Sequence, residues 1–148
     1  MAAVSLALAA ASAVPVATRA QSVADPERAA LLEAEAARLH ELPSRWADAA
    51  SLYRAAAALR QTEDPQARQD LFIAANLSYQ LGDRPSAVTA LESAGTRALS
   101  AGDSVFATEM FANAASIAEE AGMVAYERRL RSRVADLAGA TGIRRGSS

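Results

Sequence analysis

Cysteine is absent from this chain of 148 residues. No disulfide, thiolate metal site, cysteine nucleophile or lipidated cysteine anchor can form, and the redox compartment is unreadable from the count. Histidine occurs once, at His40, so a histidine-built metal site or a Ser-His-Asp triad within one chain lacks its parts. Lysine is missing as well; all 15 basic residues are arginine. Against 17 acidic residues this leaves a net charge of −2, which supplies no general attraction to nucleic acid. Aromatic residues make up 5%, so a core has to rest on small side chains and a few large anchors. There is no phosphate loop, Gly-rich dinucleotide turn, GxSxG elbow or zinc pattern. The sequence therefore names no catalytic, cofactor-binding or metal-binding residues and reads as a non-enzyme.

What is present is alanine. Hydrophobic residues are 51% of the chain, and much of that is Ala, the best helix former and small enough to let helix backbones approach. The stretch 71–94, LFIAANLSYQLGDRPSAVTALESA, organises the rest. Leu71, Ala74, Ala75, Ser78 and Leu81 form one stripe, and Ala87, Leu91, Ala94 and Ala98 a second. Both advance by three or four residues, the spacing of one face of an α-helix. Gly82 between them suits the left-handed residue that ends a helix, and Pro85 suits the first turn of the next. So short a connection returns the chain antiparallel.

The remaining helices follow from similar punctuation. A helix is expected over 26–41 behind the N-cap Asp25, with Leu32, Ala36 and Leu39 as core. Pro43 stops it and Ser44 is expected to cap the next, over 45–61, whose face is Trp46, Ala49, Ala50, Tyr53, Ala56 and Ala57. The third, over 65–81, is apolar on more than one side and should be central. The fourth covers 84–100. The fifth, capped by Asp103 or Ser104, reaches 121 with Phe106, Met110, Phe111, Ala114, Ile117 and Ala118 on its face. The sixth spans 123–138, and residues 139–148, GATGIRRGSS, read as a flexible tail. Residues 1–20 hold an uncharged apolar run and a small-x-small site after Ala20, which reads as a signal peptide although no basic residue precedes it. The run is too short for a comfortable membrane span. A working signal places residues 21–138 in the periplasm or outside the cell, and otherwise the chain stays in the cytoplasm.

The pattern repeats. Ala75-Asn76 through Gly82 overlay Ala115-Ser116 through Gly122 at a shift of 40 residues, and Ala37 with Ser44 fits 38 residues earlier. The middle unit resembles a tetratricopeptide repeat: Leu71, Ala74-Ala75, Ser78 and Leu81-Gly82-Asp83, then Ala87, Leu91 and Ala94. The third unit matches through Phe111, Ala114-Ala115, Ala118 and Gly122. The first keeps Ala36-Ala37, Ala49, Tyr53 and Ala56, but Glu33 stands where a large residue is expected. The family's repeat is shorter, about 34 residues. The resemblance covers 26–138 and implies an all-α, right-handed stack of three antiparallel helix pairs, an α-solenoid that binds proteins or peptides.

It also implies a concave face lined by the first helix of each pair. On this chain those positions are Arg38 and Glu41, then Gln69, Phe72, Asn76, Tyr79 and Gln80, then Glu109, Ala112, Ser116 and Glu119. Phe72 and Tyr79 flanking Asn76 would suit an extended peptide; the alternative is that the two aromatics fill the central helix's second packing face. Glu109, Asn113 and Glu119 stand where a carboxylate clamp would need basic residues, which argues against one. Arg128, Arg129, Arg131 and Arg133, with Arg144 and Arg145, form a basic end that either meets an anionic partner or membrane surface or is a solvated capping face. Glu33, Glu35, Glu41 and His40 lack the further ligands of a metal shell. Asn76-Leu77-Ser78 spells a glycosylation triplet by chance within a helix. The expected partner is a protein or peptide, not nucleic acid, with no stable membrane anchoring. A self-associating structural module and a small-ligand-binding bundle are the alternatives.

Overall fold

The computed structural model describes residues 23–145. The stretch read as a signal peptide, 1–20, lies outside them. Within the described residues the chain is all-α: α1 (Pro26–His40), a 3-10 turn (Pro43–Arg45), α2 (Trp46–Ala58), α3 (Pro65–Gln80), α4 (Arg84–Ser100), α5 (Ser104–Glu120) and α6 (Val124–Arg145). None of these helices is long and apolar enough to cross a membrane.

Four helices start the same way. The side chains of Asp25, Asp64, Asp83 and Asp103 accept the backbone N–H groups of Arg28, Gln66, Ser86 and Phe106, at 2.9 to 3.2 Å. Each satisfies one of the donors a helix leaves free at its first turn. Helix α2 is different. The chain is already turning at Pro43, where the Arg45 N–H donates to the Leu42 carbonyl at 2.8 Å, so Ser44 sits inside the 3-10 turn. The cap expected of it is not made.

Three turns share one geometry at an interval of 20 residues. Gly82, Gly102 and Gly122 have φ of 80°, 78° and 68°. The N–H that follows each glycine reaches back to Ser78, Ala98 or Ala118, and the glycine N–H to Tyr79, Leu99 or Glu119. This doubly bonded C-terminal turn needs a left-handed residue, which glycine adopts without a Cβ clash.

The same interval runs through the core. Ala67, Ala87 and Ala107 are buried, as are Leu71, Leu91 and Phe111, then Ala74, Ala94 and Ala114, and then Ser78, Ala98 and Ala118. Small residues at these crossings let the helices close up, and the large series fills the space between. Gly95 takes the register of Ala75 and Ala115 because a Cβ there would lie 2.7 Å from the Phe111 ring. Leu81, read as the end of the first stripe, is 46% exposed, because the helix has already reached its C-cap there.

Packing is dominated by neighbours in sequence, each helix against the one before and the one after. Two clusters of buried residues result. One joins Ala36 and Leu39 of α1 and Tyr53 of α2 to Ala74 and Leu77 of α3. The other runs from Ala57 of α2 through α3, α4 and α5 to Leu130 of α6. Helix α3 serves both, in keeping with its apolar residues on more than one side.

Two helix ends differ from expectation. Helix α2 stops at Ala58, and the carbonyls just beyond it are claimed from outside. The Asp25 N–H donates to Leu59 O at 2.7 Å, and Arg97 Nη1 donates to Gln61 O at 3.2 Å. Helix α6 continues to Arg145, through part of the stretch read as a loose tail. Gly139 and Gly142 each weaken a helix by only about 1 kcal/mol relative to Ala, and no proline follows. The Thr141 hydroxyl donates to Leu137 O at 2.8 Å, within the helix.

Candidate functional site

The row read from the sequence as a binding face is largely at the surface. Arg38, Glu41, Gln69, Asn76, Gln80, Glu109, Ala112, Ser116 and Glu119 are all exposed. Arg38 is held by Glu35 through two hydrogen bonds of 2.6 and 2.9 Å, and Glu119 by Arg131 at 2.7 Å. The two aromatics behave differently. Phe72 is half-buried against the larger core cluster. Tyr79 is 38% exposed, and its hydroxyl donates to Glu120 Oε2 at 3.0 Å. The Arg84 guanidinium lies 5.2 Å from its ring centroid and pairs with the same Glu120 at 3.3 Å. Tyr79 thus ties the end of α3 to the end of α5, and one of the two aromatics belongs to the packing of α3. The structure brings the α3 and α5 portions of the row together through this bridge.

Three arginines of α6 are engaged, and the side chains of Arg144 and Arg145 lie outside the described ones. Arg129 reaches both Glu92 oxygens at 2.9 Å and lies 4.4 Å from the Tyr126 ring centroid. Arg131 pairs with Glu119 and Glu127. Arg133 sits 4.2 Å above the Phe111 ring and 3.9 Å from Glu92. They fasten α6 onto α4 and α5, while Arg128 is exposed. His40 packs edge-on against Trp46 and Tyr53, and the Trp46 indole N–H donates to its carbonyl at 2.8 Å. Among the described residues no group of three His, Asp or Glu side chains is placed to hold a metal ion.

A second constellation lies inside the molecule, where α1, α2 and α3 meet. Asp70 is 0% exposed. Its Oδ1 accepts from Gln66 Nε2 at 3.0 Å, and its Oδ2 has no hydrogen-bond partner. Arg60, just past α2, donates from Nε and Nη2 to Glu33 at 2.6 and 2.9 Å and from Nη1 to Asp64 at 3.1 Å. Its Nε is 3.9 Å from Asp70 Oδ2. Burial pushes the Asp70 carboxyl up to about 7, and the neighbouring Glu33 carboxylate adds to the shift. The Arg60 hydrogen bonds hold Glu33 below the usual carboxylate range and push Arg60 up. Burial, then the charges of Asp70 and Glu33, raise the Tyr53 hydroxyl.

Sequence reasoning noticed Glu33 as out of pattern and overlooked Arg60 and Asp70. The signal was present. Asp70 falls in the buried register of Ala90, Met110 and Leu130 at the 20-residue interval. Glu33 precedes Leu71 by 38 residues, the spacing that also separates Ala29 from Ala67 and Ala36 from Ala74. Two acids occupy apolar registers because they answer each other around one guanidinium.

No family model matches the sequence, and neither a curated protein nor a solved structure matches it.

Proposed function

We propose that the chain is a non-catalytic binding module of the tetratricopeptide type, three antiparallel helix pairs in a right-handed stack, whose α1, α3 and α5 carry the face that takes a protein or peptide. The observation behind this reading is a set of exposed polar side chains that neither cap a helix nor fill the core. Gln69, Asn76 and Gln80 on α3 and Glu109 and Ser116 on α5 make no hydrogen bond within the described residues and alternate along their helices with buried alanines. Packing by sequence neighbours and the turns repeated every 20 residues also support it, because stacked hairpins bury a continuous core and leave one face of each first helix free.

The test selects peptides from a random displayed library on the full chain, then measures their affinity for an Asn76→Arg, Ser116→Arg double variant. Both positions are exposed and arginine is a good helix former, so the fold should persist. A loss of about tenfold or more, equivalent to about 1.4 kcal/mol, supports the reading. Undiminished binding, or a selection that yields no peptide, overturns it. The proposal includes export directed by residues 1–20; N-terminal sequencing of the chain recovered outside the cytoplasm should begin at Gln21, and a chain retained inside with Met1 intact would refute export.

A further inference from the structure

We propose that Glu33 and Asp70 hold one proton between them inside the junction of α1, α2 and α3, and that its loss loosens α1 from the helices it packs on. This goes beyond the binding reading and does not depend on what the outer face recognises.

Charge is mismatched at this junction. Three carboxyl groups, Glu33, Asp64 and Asp70, surround Arg60. The guanidinium spends two nitrogens on Glu33 and one on Asp64. Asp70, the most deeply buried of the three, has no charged hydrogen-bond donor of its own. An ionised carboxylate removed from water without such a partner is strongly disfavoured, so the group keeps its proton. A proton on Oδ2, donated to the adjoining Glu33 carboxylate, also completes the one buried side-chain polar atom left unpaired among the described residues.

The groups facing this pair are few. Helix α1 contributes Glu33, α2 contributes the buried Tyr53, and the connection after α2 contributes Arg60 and Asp64. Helix α3 adds Gln66 beside Asp70 itself. From α4, Arg97 stands one layer away, donating to the Arg60 and Gln61 carbonyls. It fixes the backbone that carries Arg60 and gives Asp70 no hydrogen bond.

The sign of the pH dependence follows. Asp70 titrates at about 7 when folded and in the ordinary carboxylate range when unfolded. Its contribution is fully present below that ordinary range, falls as pH rises through the interval, and is lost once pH passes about 7. Glu33, whose value is lowered in the folded state, acts oppositely and at lower pH. Its contribution is present above the ordinary range and is lost on acidification. The junction is therefore tightest in mild acid, with Glu33 ionised and Asp70 protonated. Above about 7 the buried Asp70 carboxylate and the partly buried Glu33 carboxylate beside it face a guanidinium already shared with Asp64, and relief comes from admitting water under α1.

Amide hydrogen exchange on the full chain at pH 5.5 and pH 8, corrected for intrinsic rates, tests this. Protection of α1 should fall by about thirtyfold between pH 5.5 and pH 8, a ratio set by the 1.5 units that separate pH 5.5 from the Asp70 midpoint near 7, while α5 keeps its protection. Asp70→Asn, neutral at both pH values, should hold α1 equally protected at both. An α1 protection independent of pH in the parent chain, or an Asp70→Asn chain that still loses it, overturns the proposal. A carbon-13 titration of the parent chain needs no variant to fold: a midpoint for the Asp70 carboxyl near 7 supports the proposal, and one in the ordinary carboxylate range refutes it.

Discussion

From α3 to α6 the helices meet through Ala67, Ala87 and Ala107, and through Leu71, Leu91 and Phe111, all buried and all apolar. Between α1 and α3 the equivalent registers include Glu33 and Asp70. The turns differ in the same way. The later connections are glycine turns of one geometry, whereas α1 reaches α2 through a 3-10 turn and α2 reaches α3 through Gln61–Asp64, whose carbonyl and carboxylate groups engage Arg97 and Arg60. Both regions are close-packed, but they are specified differently. An apolar register tolerates any pH and is sensitive to shape. A register filled by acids keeps its packing only while one of them stays neutral and the other paired.

The sharpest way to break this comparison is through shape in the apolar region. Phe111 is fully buried, and Phe111→Ala should destabilise the chain by about 3–5 kcal/mol, an effect equal at pH 5.5 and pH 8 in denaturant melts. A marked pH dependence of that loss would erase the distinction between the two regions.

A smaller effect separates two glycines. Gly95→Ala gains about 1 kcal/mol of helix propensity but drives a Cβ to 2.7 Å from a Phe111 ring that is buried and cannot swing away. Overpacking of about 1–3 kcal/mol should leave a net loss, relieved in a Phe111→Leu background. Gly102→Ala meets nothing within 4 Å; its φ of 78° is the difficulty, and a loss of about 1 kcal/mol should persist unchanged in that background. Thermal melts of the single and double variants distinguish the cases. Relief of both glycine variants by Phe111→Leu would assign them one mechanism and contradict the geometry.

Much of the helical order was readable in advance. Asp25, Asp83 and Asp103 stand before helices, Pro26 and Pro65 open them, and Gly82, Gly102 and Gly122 close them, because capping and turn chemistry act over three or four residues. The failures were also local in origin. Ser44 looked like a cap, but Pro43 had already begun the turn. Residues 139–148 looked like a loose tail, but Gly139 and Gly142 merely weaken a helix that runs on to Arg145. Of the expected binding row, the exposed polar members lie at the surface, whereas Phe72 leans into the core and Tyr79 bridges two helices. The orientation of Tyr79 depends on Glu120, 41 residues away, and on Arg84, and that of Phe72 on the core cluster it packs against.

What the chain order alone determined is periodic: six helices, their approximate bounds and the faces that must be covered, since helix spacing and turn residues are properties of short segments. Only the tertiary structure decided which registers could carry charge. Glu33, Arg60 and Asp70 are separated by 27 and 10 residues, and nothing in their spacing announces that they meet. Their protonation follows from dielectric burial and from how many donors one guanidinium has to give, quantities that exist only once three helices have closed around them.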